Sequence, residues 1–109
     1  MKIIGTGRSH PSLVVTNEML SQILDTSDEW ITTRTGIKER RIISSENLED
    51  LAIDAAKKAL ADANMEAKDL DYIICANVVN EFISPAMSCL IQGAIGANCP
   101  CFDLNGACV

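Results

Sequence analysis

The longest apolar pattern along the chain has the spacing of an amphipathic helix. After Ser44 and Ser45, apolar residues recur on one stripe and charged residues lie off it. The stripe comprises Leu48, Leu51, Ala52, Ala55, Ala59, Leu60 and Ala63. Because asparagine readily adopts the left-handed conformation that ends helices, Asn64 is a suitable last residue. The pattern predicts a long helix from Ser44 and Ser45 to Asn64.

Two shorter helices are predicted in the first part of the chain. Thr16 or Asn17 is a suitable cap for an amphipathic segment over residues 18–24. Thr26 and Glu29 have the spacing of a capping box, in which the threonine hydroxyl accepts from the glutamate amide and the carboxylate reaches back. A short helix is expected to follow Thr26.

Apolar runs in the second half predict buried strands with a helix between them. Residues 72–79 and 101–104 are such runs, and residues 2–7 predict a short strand that leads into a glycine turn. Between the two later runs, Ser84 and Pro85 predict a helix start and Gly96 its end, so strands and helices alternate along the chain. This order predicts one α/β domain over residues 1–109, with a mostly parallel sheet, flanking helices and chemistry at the carboxyl end of the last strand.

Composition narrows the possible partners. Apolar residues make up 48% of the chain and aromatic residues 4%, which predicts an aliphatic core. The net charge is −6 and no run of Lys or Arg could follow a phosphate backbone, so nucleic acid is not an expected partner. No apolar stretch approaches the roughly 20 residues that cross a bilayer, and the start lacks the apolar core of a signal peptide. A cytoplasmic protein with reduced thiols is expected, because its five cysteines are odd in number and irregularly spaced.

One cysteine follows a predicted strand through small residues. Cys108 comes after Gly106 and Ala107, a context that can present a sulfur atom at the start of a following helix. Helix amides would stabilise the thiolate, which is the nucleophilic form of the side chain. A buried structural cysteine is the alternative interpretation.

The other cysteines do not predict a metal centre. Cys99 and Cys101 are close in sequence, but His10 is the single histidine and lies far away, so no metal ligand set is expected. Cys75 and Cys89 are predicted to fill the core. A dinucleotide loop at Gly5 and Gly7 is also not expected, because His10 occupies the position of the third glycine.

An aromatic residue and an arginine form a candidate binding pair. Trp30 and Arg34 offer a flat platform and a positive charge that suit an adenine or a phosphate. The alternative is a partly buried tryptophan beside a surface arginine. Lys38, Arg40 and Arg41 form a basic cluster, which indicates either a binding surface or a solvated face.

The segment around this pair resembles a family signature. Residues 25–41, DTSDEWITTRTGIKERR, closely resemble the signature of β-ketoacyl-acyl carrier protein synthase III. Further matches follow in family order: Ile4-Gly5-Thr6-Gly7, Thr16-Asn17, Ser84-Pro85-Ala86, Cys99-Pro100-Cys101-Phe102-Asp103 and Ala107-Cys108. The resemblance covers the whole chain and about the first third of a family member. It implies the N-terminal part of a thiolase-like layered fold (αβαβα).

The resemblance also implies an activity. In that family the cysteine that matches Cys108 takes an acyl group from acyl-coenzyme A, then condenses it with malonyl-acyl carrier protein, with loss of carbon dioxide, to initiate fatty-acid biosynthesis. Coenzyme A is carried by a substrate, so no cofactor is implied. Trp30 and Arg34 would hold the adenine end of coenzyme A, Thr26 would lie nearby, and a homodimer is implied.

Two alternatives remain open. One is a sibling condensing enzyme that primes polyketide or other secondary-metabolite synthesis with the same Cys108 chemistry. The other is a non-catalytic fragment, because the family's histidine and asparagine donors come from its second half and His10 matches neither. A chain that ends at Val109 is therefore not expected to turn over alone.

Overall fold

The computed structural model describes residues 1–106. They fall into two compact units. The smaller unit is His10–Glu46, and the larger unit is Met1–Ser9 together with the chain from Asn47 onward. Each unit has its own short sheet and its own helices. That all 109 residues belong to one domain stays a prediction.

The smaller unit is built on an antiparallel pair of strands. Strand β1 (Leu13–Thr16) pairs with β2 (Glu39–Ile42), with Thr16 opposite Glu39. Helices α1 (Asn17–Ser21) and α2 (Asp28–Thr35) lie between them in the sequence. Neither strand was predicted, although the run Leu13-Val14-Val15 is rich in the β-branched residues that favour strands.

The caps of α1 and α2 use hydroxyl side chains. The Thr16 hydroxyl accepts a hydrogen bond from the Met19 amide at 3.2 Å, which confirms Thr16 as the cap of α1. The predicted Thr26 cap of α2 is wrong by one residue, because Ser27 lies three positions before Trp30 and its hydroxyl accepts from the Trp30 amide at 3.1 Å. Helix α2 therefore begins at Asp28, and Gly36, with φ of 71°, caps its carboxyl end after Thr35.

The larger unit contains the predicted strand, helix, strand order. Helix α3 (Leu48–Ala63) is followed by a 3₁₀ turn at Ala67–Asp69, then by β3 (Ile73–Ala76), α4 (Met87–Ile95) and β4 (Cys101–Leu104). Strands β3 and β4 pair in parallel, with Ile73 opposite Cys101. The parallel pairing and the bounds of β4 are confirmed, and the α/β class with them.

Both long helices begin later than predicted. Helix α3 begins after Asn47, whose side-chain oxygen accepts from the Asp50 amide at 2.7 Å, so Ser44 and Ser45 precede the helix. Its end at Asn64 is confirmed, with φ of 52°. Helix α4 begins after Ala86, a residue that provides no side-chain cap. Ser84 is therefore not the cap, and a carboxylate distant in sequence binds the first amides of α4 instead.

The opening segment packs on a helix. The short strand predicted within residues 2–7 does not form, because these residues pair with no strand in the part of the chain that the structure describes. A Cβ atom on Gly7 would lie 2.2 Å from the Ala55 oxygen and 2.4 Å from the Ala59 nitrogen, and one on Gly5 would also clash with α3. The two glycines therefore permit close approach of the backbone to α3.

Alanine at Gly7 is expected to destabilise the larger unit. The methyl group would overlap backbone atoms of α3, and overpacking of this kind costs about 1–3 kcal/mol. Gly93→Ala is the matched control, because Gly93 lies within α4 with no atom in reach of its Cβ. That control is expected to gain about 0.5–1 kcal/mol from helix propensity. Urea denaturation of both variants measures the difference, and equal stabilities would contradict the packing of residues 5–7 on α3.

The β3–β4 pair is covered less than predicted. Burial alternates along both strands, and the side chains of Ile74 and Leu104 are 59% and 53% exposed. The prediction of a strand covered on both faces is therefore wrong within the described residues, because one face lacks a packed layer. In the same part of the chain, no helix has both the length and the hydropathy to cross a membrane.

Candidate functional site

Trp30 and Arg34 stack on each other along one face of α2. Their spacing of four residues puts them one helical turn apart, and the Arg34 guanidinium carbon lies 4.4 Å from the Trp30 ring centroid. Trp30 is 52% exposed, so much of the indole faces solvent. The predicted pair is thus brought together as an exposed platform that carries a positive charge, and such a platform can stack a planar base and attract a phosphate.

Thr26 lies in an open cleft just before α2. The cleft is lined by polar residues: Thr16, Glu18, Ser21, Thr26, Ser27 and Asp28. The Thr26 hydroxyl is buried and has no hydrogen-bond partner in the structure. Because Glu18 and Asp28 would repel an anion, the cleft suits a ligand's amino or hydroxyl donors better than its phosphates. Phosphates are better placed at Arg34.

Asn17 is the buried centre of the smaller unit. It is 1% exposed, and its side-chain nitrogen donates to the Asp28 carboxylate at 2.8 Å and the Ile37 carbonyl at 2.7 Å. Its side-chain oxygen accepts from Arg40 at 2.6 Å, and its amide donates to the Lys38 carbonyl at 3.1 Å. These bonds join α2 to the segment that enters β2, so Asn17 positions the helix that carries Trp30.

One hydrogen bond of Asn17 also lowers a pKa. The bond from its side chain to the Asp28 carboxylate holds the pKa of Asp28 below its ordinary value, and a hydrogen bond from the Thr32 hydroxyl adds to the effect. Asp28 also lies in the first turn of α2, where a negative charge is stabilised by the amino end of the helix. This central role of Asn17 was not predicted from the sequence, although its position directly after the apolar run Leu13-Val14-Val15 and Thr16 was an available signal.

Arg40, one residue of the basic cluster, makes its hydrogen bonds within the smaller unit. The Arg40 guanidinium donates to the Val15 carbonyl at 3.1 Å as well as to the side chain of Asn17. Arg41 lies near the carbonyls of Pro11 and Ser12, each at 3.4 Å. Arg40 therefore supports the β1–β2 pair, and Lys38 and Arg34 are better placed to contact an anionic ligand.

A single carboxylate joins the elements at the carboxyl end of β4. Asp103 accepts hydrogen bonds from the amides of Met87 at 3.0 Å and Ser88 at 2.8 Å, the first residues of α4. It also accepts from the side chains of Asn77 at 3.0 Å and Asn80 at 2.8 Å, which follow β3. Asp103 therefore caps α4 in place of the predicted Ser84.

These donors outweigh the effect of burial on Asp103. Burial raises the pKa of the carboxyl group. The hydrogen bonds from Ser88 and Asn77 lower it by more than burial raises it, so the net pKa lies well below the ordinary range. The Asn77 amide also donates to the Leu104 carbonyl at 3.1 Å, one residue beyond Asp103. These hydrogen bonds hold the carboxyl end of β4 to α4 and to the segment that follows β3.

The predicted nucleophile, Cys108, lies outside the described residues. Its role stays a prediction. Of the other cysteines, Cys99 is buried and Cys75 is half-buried, in line with core filling. Cys89 is exposed, so its predicted burial is wrong. Among residues 1–106, no group of three or more His, Cys, Asp or Glu side chains is placed to hold a metal ion.

Comparison with known proteins relates the whole chain to condensing enzymes. No family model matches. The β-ketoacyl-[acyl-carrier-protein] synthase III of Clostridium acetobutylicum is 50% identical over 109 residues, which are 99% of this chain and 34% of that protein. The chain thus spans about a third of the length of the curated relatives that it matches.

Solved structures agree with the sequence comparison. The 3-oxoacyl-[acyl-carrier-protein] synthase III of Aquifex aeolicus VF5 has a TM-score of 0.92 and 49% identity, with 98% of this chain and 35% of that chain covered. The priming β-ketosynthase of the R1128 polyketide biosynthetic pathway has a TM-score of 0.90 and 31% identity, with 98% and 33% covered. The predicted thiolase-like α/β fold is thereby confirmed. Over the third of those proteins that it spans, the chain is similar in sequence and in fold to β-ketoacyl-[acyl-carrier-protein] synthase III.

Proposed function

We propose that this chain is the coenzyme A-binding and nucleophile-bearing part of a β-ketoacyl-[acyl-carrier-protein] synthase III that initiates fatty-acid biosynthesis. The observation that carries the proposal is the 50% identity over 99% of the chain to relatives with that name. The stacked Trp30 and Arg34 add support, because they form the platform that the adenine end of acyl-coenzyme A requires.

The first chemical step is transfer of the acyl group to Cys108. The Cys108 thiolate attacks the thioester carbonyl of acyl-coenzyme A, the bond from that carbon to the coenzyme A sulfur breaks, and the coenzyme A thiolate leaves and takes up a proton. The products are an acyl-cysteine and free coenzyme A. Trp30, Arg34 and Thr26 act only in binding, because they contact the nucleotide end of the substrate and no bond changes there.

The second step consumes the acyl-cysteine. Malonyl-acyl carrier protein loses carbon dioxide, and the resulting enolate attacks the acyl carbonyl, which releases β-ketoacyl-acyl carrier protein and restores the Cys108 thiolate. The enolate oxygen needs hydrogen-bond donors in this step, and the family's histidine and asparagine donors come from sequence beyond these residues. The proposal includes a homodimer and a cytoplasmic location, as in the family that the sequence resembles.

Intact mass after incubation with acetyl-coenzyme A tests the proposal. The gene product that contains this segment, purified at its native length, is expected to gain one acetyl group, and peptide mapping is expected to place that group on Cys108. The 109-residue chain is measured alongside, and it is not expected to turn over alone. A native-length protein that gains no acetyl group, or gains it elsewhere, would overturn the proposal.

Alanine at Trp30 is expected to raise the KM for acetyl-coenzyme A and leave kcat nearly unchanged. Stacking of a base on an aromatic side chain contributes about 1–3 kcal/mol, so the KM is expected to rise by roughly 5- to 150-fold. The interaction is equal in the ground state and the transition state, which is why kcat is spared. Steady-state kinetics of Trp30→Ala and of the conservative Trp30→Phe measure the split. A large loss of kcat with unchanged KM would contradict a stacking role.

A priming enzyme of polyketide synthesis is the second candidate. The observation that favours it is the TM-score of 0.90 to the R1128 priming β-ketosynthase. Both candidates form the acyl-cysteine, so they differ in the acceptor. Competition between malonyl-acyl carrier protein and malonyl-coenzyme A distinguishes them, because a fatty-acid enzyme is expected to select the carrier protein of fatty-acid synthesis.

A further inference from the structure

Two cysteines of the larger unit face each other. Cys89 lies in the first turns of α4, and Cys101 is the first residue of β4. Their sulfur atoms are 3.4 Å apart. Cys89 is exposed and Cys101 is half-buried, so the pair is open to a small solute from the side of Cys89.

The geometry favours a bond between these two thiols. A disulfide has a sulfur–sulfur distance of about 2.05 Å, so the two atoms need to approach by about 1.4 Å, within reach of side-chain rotation. The remaining described cysteines have other surroundings. Cys75 contacts the side-chain nitrogen of Asn77 at 3.5 Å, and Cys99 is 6% exposed.

The two thiols differ in their environments. The hydrogen bond with Cys89 raises the pKa of Cys101, and burial raises it further, so Cys101 is held as a thiol. The exposed position of Cys89 makes it the residue that meets an oxidant first. Cys89 therefore has the accessible sulfur, and the sulfur of Cys101 lies next to it. This is the arrangement of a reacting and a resolving cysteine.

We propose that Cys89 and Cys101 are a redox-sensitive thiol pair that a peroxide oxidises to a reversible disulfide. The Cys89 thiolate attacks one peroxide oxygen, the oxygen–oxygen bond breaks, and Cys89 becomes a sulfenic acid as the first water leaves. The Cys101 sulfur then attacks the Cys89 sulfur and displaces the second water. Two thiols and one hydrogen peroxide thus give one disulfide and two waters, and a dithiol reductant returns the two electrons.

The disulfide would tie α4 to β4. Cys89 and Cys101 are 12 positions apart, so the bond closes a short loop that contains the rest of α4 and the turn before β4. Asp103 already holds the first amides of α4 at the other end of this strand. Oxidation is therefore expected to raise the melting temperature by several degrees, since a second link restricts the unfolded chain.

Mass spectrometry of the 109-residue chain after hydrogen peroxide treatment tests the proposal. The count of thiols that react with iodoacetamide under denaturing conditions is expected to fall from five to three. Trypsin cannot locate the bond, because no Lys or Arg follows Lys68 and all five cysteines stay in one peptide. Chymotrypsin can cut after Leu90 and Phe102, which separates Cys89 from Cys101 and links their peptides only through a disulfide.

Single serine variants assign the partners. Cys89→Ser and Cys101→Ser are each expected to abolish the linked peptide and the rise in melting temperature, whereas Cys75→Ser and Cys99→Ser are expected to retain both. Because Cys99 and Cys101 share a chymotryptic peptide, these two variants decide between them. A bond that persists in Cys101→Ser, a bond to Cys108, or separate sulfinic acids without a bond would overturn the proposal.

The outcome does not depend on the acyltransferase activity. Peroxide treatment, thiol counting and melting all use the free chain without coenzyme A. Cys108→Ser is expected to leave the Cys89–Cys101 bond unchanged. The redox pair and the proposed function can therefore fail separately.

Discussion

Alanine at Cys108 is expected to abolish acyl transfer from acetyl-coenzyme A in the native-length protein. Alanine has no nucleophilic atom to accept the acyl group, so the rate is expected to fall by about a thousandfold or more if Cys108 is the nucleophile. The variant is expected to keep its melting temperature and its affinity for coenzyme A, since the substitution removes only the sulfur atom. Intact mass and the rate of coenzyme A release measure the loss.

The matched control is another cysteine of the same chain. Cys75 lies on β3, half-buried, with its sulfur next to the Asn77 side chain. Cys75→Ala removes the same sulfur atom from a strand that pairs with β4, so it controls for the loss of a cysteine side chain while the proposed nucleophile stays in place. It is expected to keep nearly full activity. Equal loss in both variants would overturn the assignment of Cys108.

The sequence predicted the larger unit better than the smaller one. The stripe of α3 and the apolar run of β4 are local patterns, and both appear in the structure. The starts of α3 and α4 were placed too early because a cap depends on which side chain reaches the free amides. For α4 that side chain is Asp103, which lies 16 positions from Met87, and no local sequence motif predicts such a contact.

The antiparallel pair of the smaller unit could not be predicted from its second strand. Residues 39–42 are Glu, Arg, Arg and Ile, a polar sequence without an apolar alternation. The strand forms because β1 pairs with it and because Asn17 fixes the segment before it with hydrogen bonds to the Lys38 and Ile37 carbonyls. Some of these contacts join residues more than 20 positions apart, so a short stretch of sequence around β2 does not contain the residues that determine the strand.

The candidate site was predictable where spacing along a helix decides the contact. Trp30 and Arg34 are four positions apart, and the helix stacks them. The exposure of Cys89 was not predictable in the same way, because a helical stripe identifies an apolar face but not how much of it another element covers. The pairing of Cys89 with Cys101 also depends on where β4 lies beside α4.

Alanine at Asp103 is expected to destabilise the larger unit more than alanine at any other position of β4. The Asp103 carboxylate accepts from two backbone amides and two asparagine side chains. Removal leaves these donors without partners in a partly buried position, and the expected cost is about 3 kcal/mol in the free energy of unfolding. Urea denaturation of Asp103→Ala at neutral pH measures it, with Cys75→Ala as a control for truncation on the paired strand.

Asparagine at Asp103 separates the charge from the hydrogen bonds. Its single acceptor oxygen keeps part of the network, so Asp103→Asn is expected to lie between the wild type and Asp103→Ala in stability. The folded-state pKa of Asp103 is depressed, so its contribution to stability is present above the unfolded value of 3.8 and is lost as the pH falls through the lower folded value. The stability difference between wild type and Asp103→Asn is therefore expected to shrink as the pH falls below about 4.

The pKa of a second carboxyl group, that of Glu46, is also lowered, so its effect on stability has to be separated from that of Asp103. Hydrogen bonds from Ser12, and to a lesser extent from Ser44, lower the pKa of Glu46 to about 2, so the smaller unit also loses stability in acid. Glu46 is present in both the wild type and Asp103→Asn, and its effect cancels in their difference. If the stability difference between the wild type and Asp103→Asn stays constant from neutral to acid pH, the amides of α4 do not hold Asp103 ionised. That result would contradict the role of Asp103 as the cap of α4.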